Sequence, residues 1–168
     1  MVVDIDSLEI DVPSIDQVGI VVEDIDDGMD RFGTLWGIDE WIVLDFEPPR
    51  LQNVRFEGEP TDTTWVISLA TVGETDIELI APVSGENTYT EHLAEHGEGL
   101  HHVACFEFDD PEGAVETYRE AGVEVLQRGD FGDGTFWYLD TREAFNGVIF
   151  EIVALGEGVP DPDRVYEV

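Results

Sequence analysis

Two adjacent histidines begin an apolar run in the segment GLHHVACFEFDD, which covers residues 99–110. If this run forms a strand, its side chains alternate between two faces, so that His102, Ala104 and Phe106 share one face and His101 lies on the other. Histidine is the commonest metal ligand and a frequent proton carrier in catalysis. A histidine on the inner face of a strand therefore needs polar partners from elsewhere in the chain.

A repeat in the sequence supplies candidate partners for His102. The segment IDQVGIVVED aligns with LHHVACFEFD, which sets Gln17 against His102 at an offset of 85 residues. Two glycine pairs keep the same offset: Gly28 with Gly113, and Gly37 with Gly122. Near the end of each half, IELI aligns with FEIV, which sets Glu78 against Glu151 at an offset of 73 residues.

Each half of the repeat predicts the same order of elements: a strand, a helix and three further strands. The helices are expected at residues 25–36 and 111–121, each followed by a glycine that suits a helix C-terminus. The later strands are EWIVLDFE, TTWVISLATV and TDIELIAP in the first half, and VEVLQRG, GTFWYLDT and GVIFEIVA in the second. The second half is 12 residues shorter, and the extra residues of the first half are expected in PPRLQNVRFEGEPTDT, a loop with room for a short strand.

The predicted fold is therefore α+β, built from two tandem βαβββ modules. The predicted boundaries are residues 14–82 for the first module, 83–98 for a connector helix, 99–155 for the second module, and 1–13 and 156–168 for extensions. In the connector helix, Thr88 and Glu91 have the spacing of a capping box, and Gly97 is expected to end the helix.

Alternation along the four aligned strands separates an apolar face, expected to pack on the helices, from a face with one polar side chain per strand. The four ligand-capable side chains are Gln17, Glu78, His102 and Glu151. Small residues, Gly19 and Ala104, follow two of them. Burying two carboxylates, an imidazole and an amide is costly, and a divalent cation would compensate them. The alternative is that each group is satisfied locally at a strand end, but the shared register of the repeat favours a metal site.

The motifs IDQVGIVVEDI, IELIAP, GEGLHHVA and GVIFEIV, in a pair of βαβββ units, resemble the vicinal-oxygen-chelate superfamily. That superfamily includes glyoxalase I, methylmalonyl-CoA epimerase, extradiol dioxygenases and bleomycin-resistance proteins. The resemblance covers about residues 14–155 and is closest to the glyoxalase and epimerase-like branch, where a connector like YTEHLAEHGEGLHH and a run like GTFWYLDT recur. It implies a curved mixed sheet around a metal-binding cavity, with one ligand from each of four strands. Carried over by position, the ligands are Gln17, Glu78, His102 and Glu151, and His101 points away from the metal. Many members carry His where this chain has Gln17, although some glyoxalase I enzymes carry Gln.

The resemblance further implies a lyase or isomerase that uses one divalent ion, Zn, Ni, Co or Mn, to stabilise an enediolate or enolate. A carboxylate would move the proton α to the carbonyl, with Glu151 as the first candidate for this base and Glu78 as the second. The expected substrate is a small carbonyl or thioester compound; a glutathione adduct and a coenzyme A thioester both stay open. A homodimer is also expected.

Two other functions remain as alternatives within the resemblance. A metal-free small-molecule binding protein of the bleomycin-resistance type would use the same cavity. An extradiol dioxygenase is disfavoured, because it needs two histidines and one carboxylate on iron and the four positions offer one histidine.

Two further signals compete with this interpretation. HLAEH at residues 92–96 matches the H-x-x-E-H pattern of inverted zinc proteases, but a solvated connector helix is preferred because a protease would leave the repeat unexplained. Arg50, Arg55 and Arg128 are candidates to clamp a substrate carboxylate or phosphate. Pairing with surface acids is the commoner role of such arginines.

The composition is strongly acidic, with 40 Asp and Glu against seven Arg and a formal net charge of −33. This field repels nucleic acids and anionic membranes, so neither is an expected partner. Because the acids are scattered and Lys is absent, the surface is interpreted as halophilic, adapted to salt near 1 M, where the Debye length falls to ~3 Å. A single cysteine, Cys105, excludes an internal disulfide and is expected to be buried. The lack of a long apolar stretch and of a basic leader in MVVDIDSLEIDVP makes the cytoplasm the expected location.

Overall fold

The computed structural model describes residue 6, residues 8–158 and residues 160–168. Within these residues the chain forms three helices and one sheet of eleven strands. The helices are α1 (Ile25–Trp36), α2 (Thr88–His96) and α3 (Pro111–Glu120). The strands are β1 (Gln17–Val21), β2 (Glu40–Phe46), β3 (Leu51–Phe56), β4 (Glu59–Pro60), β5 (Thr64–Val72), β6 (Thr75–Ser84), β7 (Gly99–Cys105), β8 (Val125–Phe131), β9 (Gly134–Leu139), β10 (Ile149–Ala154) and β11 (Arg164–Glu167).

The mixed sheet confirms the predicted α+β fold. Its strand order is β11-β2-β5-β6-β1-β7-β10-β9-β8-β3-β4. Strands β1 and β6 of the first half of the repeat run parallel, as do β7 and β10 of the second half. Strands β1 and β7 pair antiparallel between them. The four strands that carry the predicted ligands are therefore neighbours at the centre of the sheet.

The sheet must curl, because a short connection joins strands near its two ends. Strands β2 and β3 are eight strand positions apart, which in a flat sheet is roughly 38 Å. They are linked by residues 47–50 alone, and the five Cα–Cα steps from Phe46 to Leu51 span at most roughly 18 Å. The rings of Phe46 and Phe131, from strands β2 and β8, are accordingly 5.9 Å apart. The curled sheet encloses a concave face.

The insertion in the first half contains more structure than the sequence predicts. Instead of one short strand it forms β3 and β4, and β3 pairs antiparallel with β8 of the second half. Strand β3 is hydrogen-bonded to β8, in the other half of the repeat. The residues of the loop alone therefore do not indicate this pairing.

Helices α1 and α3 cover the outer face of the sheet, as the apolar pattern predicts. The Asp24 carboxylate accepts a hydrogen bond from the Asp27 N–H and begins α1, and Gly37, at a φ of 68°, ends it. Met29 of α1 is fully buried in an apolar cluster with β1, β2 and β6. Pro111 is in the first turn of α3, and this helix packs on an equivalent cluster of the second half. Both helices lie within one residue of their predicted bounds, because their caps and apolar spacing belong to one segment of chain each.

The start of α2 differs from the prediction. Asn87, rather than Thr88, is the N-cap: its side chain accepts hydrogen bonds from the Tyr89 and Thr90 N–H groups, and Thr90 Oγ1 accepts one from the Asn87 N–H. The predicted Thr88–Glu91 capping box is therefore wrong by one residue, because the Thr88 side chain is buried against His101 instead.

Of the predicted extension 1–13, residues 1–5 and 7 lie outside the described residues. At the other end, β11 pairs with β2 and adds an edge strand to the sheet. Among the described residues, no helix has the length and apolarity that a bilayer crossing requires.

Candidate functional site

Four central strands bring the four predicted ligands together on the concave face of the sheet. They are Gln17 on β1, Glu78 on β6, His102 on β7 and Glu151 on β10. His102 Nε2 lies 3.2 Å from Glu151 Oε2, 3.3 Å from Glu78 Oε2 and 3.4 Å from Gln17 Oε1. Three oxygens from three strands thus converge on one imidazole nitrogen.

Two small residues make room for these side chains. Gly19 of β1 pairs in register with Glu78 and His102, and Ala104 of β7 pairs with the other two ligand positions. A Cβ atom on Gly19 would lie 2.0 Å from Cε1 of His102. The His102 ring therefore occupies the space over Gly19 that a side chain would need.

The cluster is buried and concentrates negative charge. His102 is fully buried, and the other three residues keep 5–9% of their surface exposed. Burial opposes a charge on His102, but the Glu151 and Glu78 carboxylates outweigh it and raise its pKa to about 9. Burial also raises the pKa of Glu151, against the opposing effect of His102. The two carboxylates carry two negative charges when both are ionised, so a proton on His102 balances one of them and a divalent cation would balance both.

The donor set fits a divalent ion. A single N–H at His102 Nε2 cannot satisfy three oxygens, and within the described chain the buried Glu151 Oε2 has no hydrogen-bond partner. Ligands at 2.0–2.2 Å from a metal lie roughly 3–3.5 Å from one another in tetrahedral or octahedral sites, and the three contacts of His102 Nε2 span 3.2–3.4 Å. As they stand, no three or more His, Cys, Asp or Glu side chains of the described residues are arranged to hold a metal ion.

His101 does not lie on the face of β7 that strict alternation predicts. Along β1 and β7, Gly19 pairs with His102 but the next residue, Ile20, pairs with Leu100, so His101 is the extra residue of a β-bulge. The expected position of His101 on the opposite face is therefore wrong. Its Nδ1 is 3.0 Å from His102 Nδ1, on the side of the ring away from the carboxylates.

The contacts of His101 hold the His102 ring in place. His101 Nε2 is 3.1 Å from Thr88 Oγ1, and its ring packs against Tyr89 and Tyr138. Burial and the adjacent His102 charge lower the pKa of His101 well below its ordinary value. A neutral His101 can accept a hydrogen bond from His102 Nδ1–H while its own Nε2–H donates to Thr88. The sequence carries no signal for this contact, because a bulge depends on the pairing of two strands.

A cavity of about 610 Å³ opens in front of the cluster and includes Gln17, Glu78 and Glu151 in its wall. Seven aromatic side chains, termed the aromatic lining, form much of the rest: Phe46, Trp65, Tyr89, Phe106, Phe131, Phe136 and Tyr138. The hydroxyls of Tyr89 and Tyr138 lie 2.8 Å apart in the interior, and burial raises the pKa of both phenols well above the ordinary value. The site is thus a polar cluster at the base of an aromatic cavity.

The three arginines considered as substrate clamps do not lie together. Arg50 lines the cavity but forms a 2.5 Å ion pair with Asp163. Arg55 and Arg128 line a separate groove beside Trp137, whose ring packs with the apolar cluster under α3. The proposed clamp therefore reduces to Arg50, and that side chain is already paired.

The remaining predicted features have structural roles. The rings of His92 and His96 lie 5.3 Å apart on α2, but the His96 and Glu95 side chains are 56% and 67% exposed, which matches the solvated-helix interpretation of HLAEH. Cys105 is free and buried, as expected.

Comparison with known proteins identifies one family and several solved structures with a similar fold. The family model described as Glyoxalase/Bleomycin resistance protein/Dioxygenase superfamily matches residues 16–138. A hypothetical protein from Bacillus halodurans C-125 superposes with a TM-score of 0.57 at 21% identity, over 88% of this chain and 98% of that one. No curated protein sequence matches this chain significantly.

Two other similar structures are methylmalonyl-CoA epimerases. A variant of the Streptomyces coelicolor enzyme, in complex with 2-nitronate-propionyl-CoA, has a TM-score of 0.54 at 21% identity, over 86% of this chain and 98% of its own. The Mycobacterium tuberculosis enzyme has a TM-score of 0.57 at 19% identity, over 89% and 91% of the two chains. At these identities the likeness is one of fold.

Proposed function

Because this chain belongs to the glyoxalase/bleomycin resistance protein/dioxygenase superfamily, we propose that it is a metal-dependent enzyme of the glyoxalase or epimerase type. Such an enzyme moves a proton on the carbon next to a carbonyl group. The observation that carries the proposal is the convergence of Gln17, Glu78 and Glu151 oxygens on His102 Nε2 at the base of a large cavity.

In this proposal Gln17, Glu78, His102 and Glu151 hold one divalent ion. When bound, the ion would act as a Lewis acid that polarises the substrate carbonyl and lowers the energy of the enediolate or enolate. The mixed set of amide, imidazole and carboxylate donors suits Zn, Ni, Co or Mn.

Glu151 is the first candidate for the base. Its carboxylate is almost fully buried, its Oε2 has no hydrogen bond within the described chain, and burial raises its pKa. A carboxylate with a raised pKa is a better proton acceptor near neutral pH. Glu78 is the second candidate, from a strand on the other side of β1 and β7. With a carboxylate on each side of the imidazole, one can take a proton and the other can return it, which suits both lyase and epimerase reactions.

A second candidate function is metal-free binding of a small molecule in the same cavity. It is favoured by the raised pKa of His102, since an imidazolium balances one of the two carboxylates without a metal, and the raised pKa of Glu151 favours the neutral form of the other. An extradiol dioxygenase lacks such support, because the cluster offers one histidine where two are needed.

Exchange of a substrate α-proton with deuterium from solvent tests the enzyme proposal. The metal-loaded protein in D₂O would be offered three carbonyl probes, methylmalonyl-CoA, a glutathione hemithioacetal and phenylacetone, with NMR as the readout. We expect exchange with at least one probe. In Glu151→Gln the exchange rate should fall by about 10²-fold or more, with little change in affinity for the probe. Exchange that is unchanged in Glu151→Gln would remove Glu151 from the base role. Exchange that persists after the metal is stripped would contradict metal dependence.

A further inference from the structure

We propose that the cavity takes an uncharged carbonyl compound with an apolar or aromatic body, in preference to a substrate with a carboxylate or phosphate inside the cavity. This inference rests on the proposed function, because it names the substrate class of the same site.

The aromatic lining and the acidic groups together define the chemistry of the cavity wall. Seven aromatic rings line it, and Asp76, Glu78, Asp133 and Glu151 are its acids. A divalent ion at the site would be neutralised by Glu78 and Glu151 and would leave no net positive charge for a second anion. The wall therefore favours aromatic and aliphatic surface, which it can pack against, over negative charge.

The fixed positive charges of the side chains are those of the seven arginines. The chain has no Lys, and its seven Arg all lie within the described residues. Arg31, Arg142 and Arg164 form ion pairs with surface acids. Arg55, Arg119 and Arg128 line the separate groove beside Trp137. Arg50 alone lines the cavity.

Arg50 is not free to bind a substrate anion. Its Nη1 donates hydrogen bonds to the Asp45 carbonyl oxygen at 2.6 Å and to Asp163 Oδ2 at 2.5 Å, and its Nη2 donates to the Asp161 carbonyl oxygen at 3.3 Å. Asp163 also accepts a hydrogen bond from the Asp45 N–H. Arg50 therefore anchors the C-terminal segment to the end of β2, and its charge is already neutralised.

A carboxylate or phosphate that entered the cavity would lose water without gaining a cation. Burial of an unpaired charge is strongly unfavourable. The acyl carboxylate of a methylmalonyl group and the carboxylates of a glutathione adduct would both meet this obstacle inside the cavity. A neutral carbonyl compound would instead place its oxygen at the polar cluster and its body on the aromatic lining.

Binding of two matched probes tests the inference. Phenylacetone is neutral and carries acidic C–H bonds next to its carbonyl; 4-(2-oxopropyl)benzoate is the same molecule with a carboxylate on the ring. Titration of metal-loaded protein in molar KCl, followed by calorimetry and by tryptophan fluorescence, should show the neutral probe binding at least about tenfold more tightly. Equal affinity, or tighter binding of the benzoate, would overturn the inference.

An added cation at the cavity rim should reverse the preference. Leu155 lines the cavity and is 61% exposed, so Leu155→Arg adds a charge there without disturbing the core. We expect this variant to bind the benzoate at least about fivefold more tightly than the unchanged chain, through a carboxylate–guanidinium pair. Leu35→Arg, on the exposed surface of α1 at 74% exposure, makes the same change in net charge and should leave both affinities unaltered. If Leu155→Arg and Leu35→Arg bind the benzoate with the same affinity, the lack of a cation in the cavity is not the cause of the selectivity.

The substrate class and the reaction can fail separately. Selective binding of the neutral probe without deuterium exchange in any probe would support the substrate class and contradict the proposed reaction. Exchange confined to methylmalonyl-CoA, with no binding of phenylacetone, would support the reaction and overturn the substrate class.

Discussion

Gly19 decides where the imidazole of His102 can lie. The ring passes over the Gly19 Cα at a distance that leaves no space for a methyl group. The polar cluster on the concave face thus depends on a missing side chain as much as on the side chains that compose it. Gly19 and His102 are paired across β1 and β7, directly beside the bulge at His101.

We expect Gly19→Ala to displace the His102 ring and to abolish metal binding, with a cost to folding of about 1–3 kcal/mol from the steric clash. Metal analysis and urea denaturation measure the two effects. Gly28→Ala is the matched control: its added Cβ would meet Val22 at 3.2 Å, a contact that a small shift relieves. A Gly19→Ala protein that binds metal as well as Gly28→Ala would show that the ring position does not matter.

The residues of the cluster could be predicted because each one occupies the same place in a repeated unit. Alternation on four strands is enough to put Gln17, Glu78, His102 and Glu151 on one face. Alternation failed at His101, where a bulge adds one residue to β7. A bulge depends on the partner strand, and the sequence of one strand does not specify it.

Helix α2 connects the two halves of the repeat and also supports the cluster from behind. Its N-cap Asn87 is fully buried, and the Asn87 side chain donates to Thr63 Oγ1 at 2.6 Å. The next residue, Thr88, donates its N–H to Gln127 Oε1 and contacts His101. The start of α2 therefore joins β8 and β7 to the residue that precedes β5.

Asn87→Ala should destabilise the protein by about 0.5–2 kcal/mol, because it removes the cap and leaves Thr63 without that partner. Glu91→Ala, which alters the capping box suggested by the sequence, should change stability by less than about 0.5 kcal/mol. Within the described residues, the one ion pair of Glu91 is a 3.6 Å contact with Arg142 between partly exposed side chains. Urea denaturation of both variants compares the two caps. A larger loss in Glu91→Ala would contradict the assignment of Asn87.

Local elements were predicted better than their long-range pairing. The bounds of α1 and α3 follow from caps and apolar spacing within one segment of chain. The pairing of β3 with β8 and of β11 with β2 joins residues far apart in sequence. Those contacts depend on the curl of the whole sheet, which no local pattern encodes.

At the scale of the whole molecule, the net charge of −33 governs the response to salt. Excess negative charge opposes the compact state in dilute buffer, where charges interact over roughly 10 Å or more, and molar salt screens this repulsion. For metal-loaded protein we expect the melting temperature to rise by more than about 5 °C from dilute buffer to molar KCl, or roughly 2 kcal/mol for a chain of this size.

Sucrose provides the control for this salt effect, because it stabilises by exclusion from the surface without screening charge. An equal rise in sucrose, or a flat melting temperature in KCl, would contradict the interpretation of the acidic surface as an adaptation to salt.

Metal analysis of protein purified in molar KCl without added metal tests the Gln17–Glu78–His102–Glu151 site most directly. We expect about one divalent ion per chain, which is the stoichiometry of a single four-ligand site. His102→Ala should lose most of the metal. His101→Ala should keep the ligands but bind the metal about 10–100-fold more weakly, as expected for a partner that orients a ligand. Protein that carries no metal, and takes up none when it is supplied, would contradict the site, as would equal metal affinity in His102→Ala and the unchanged chain.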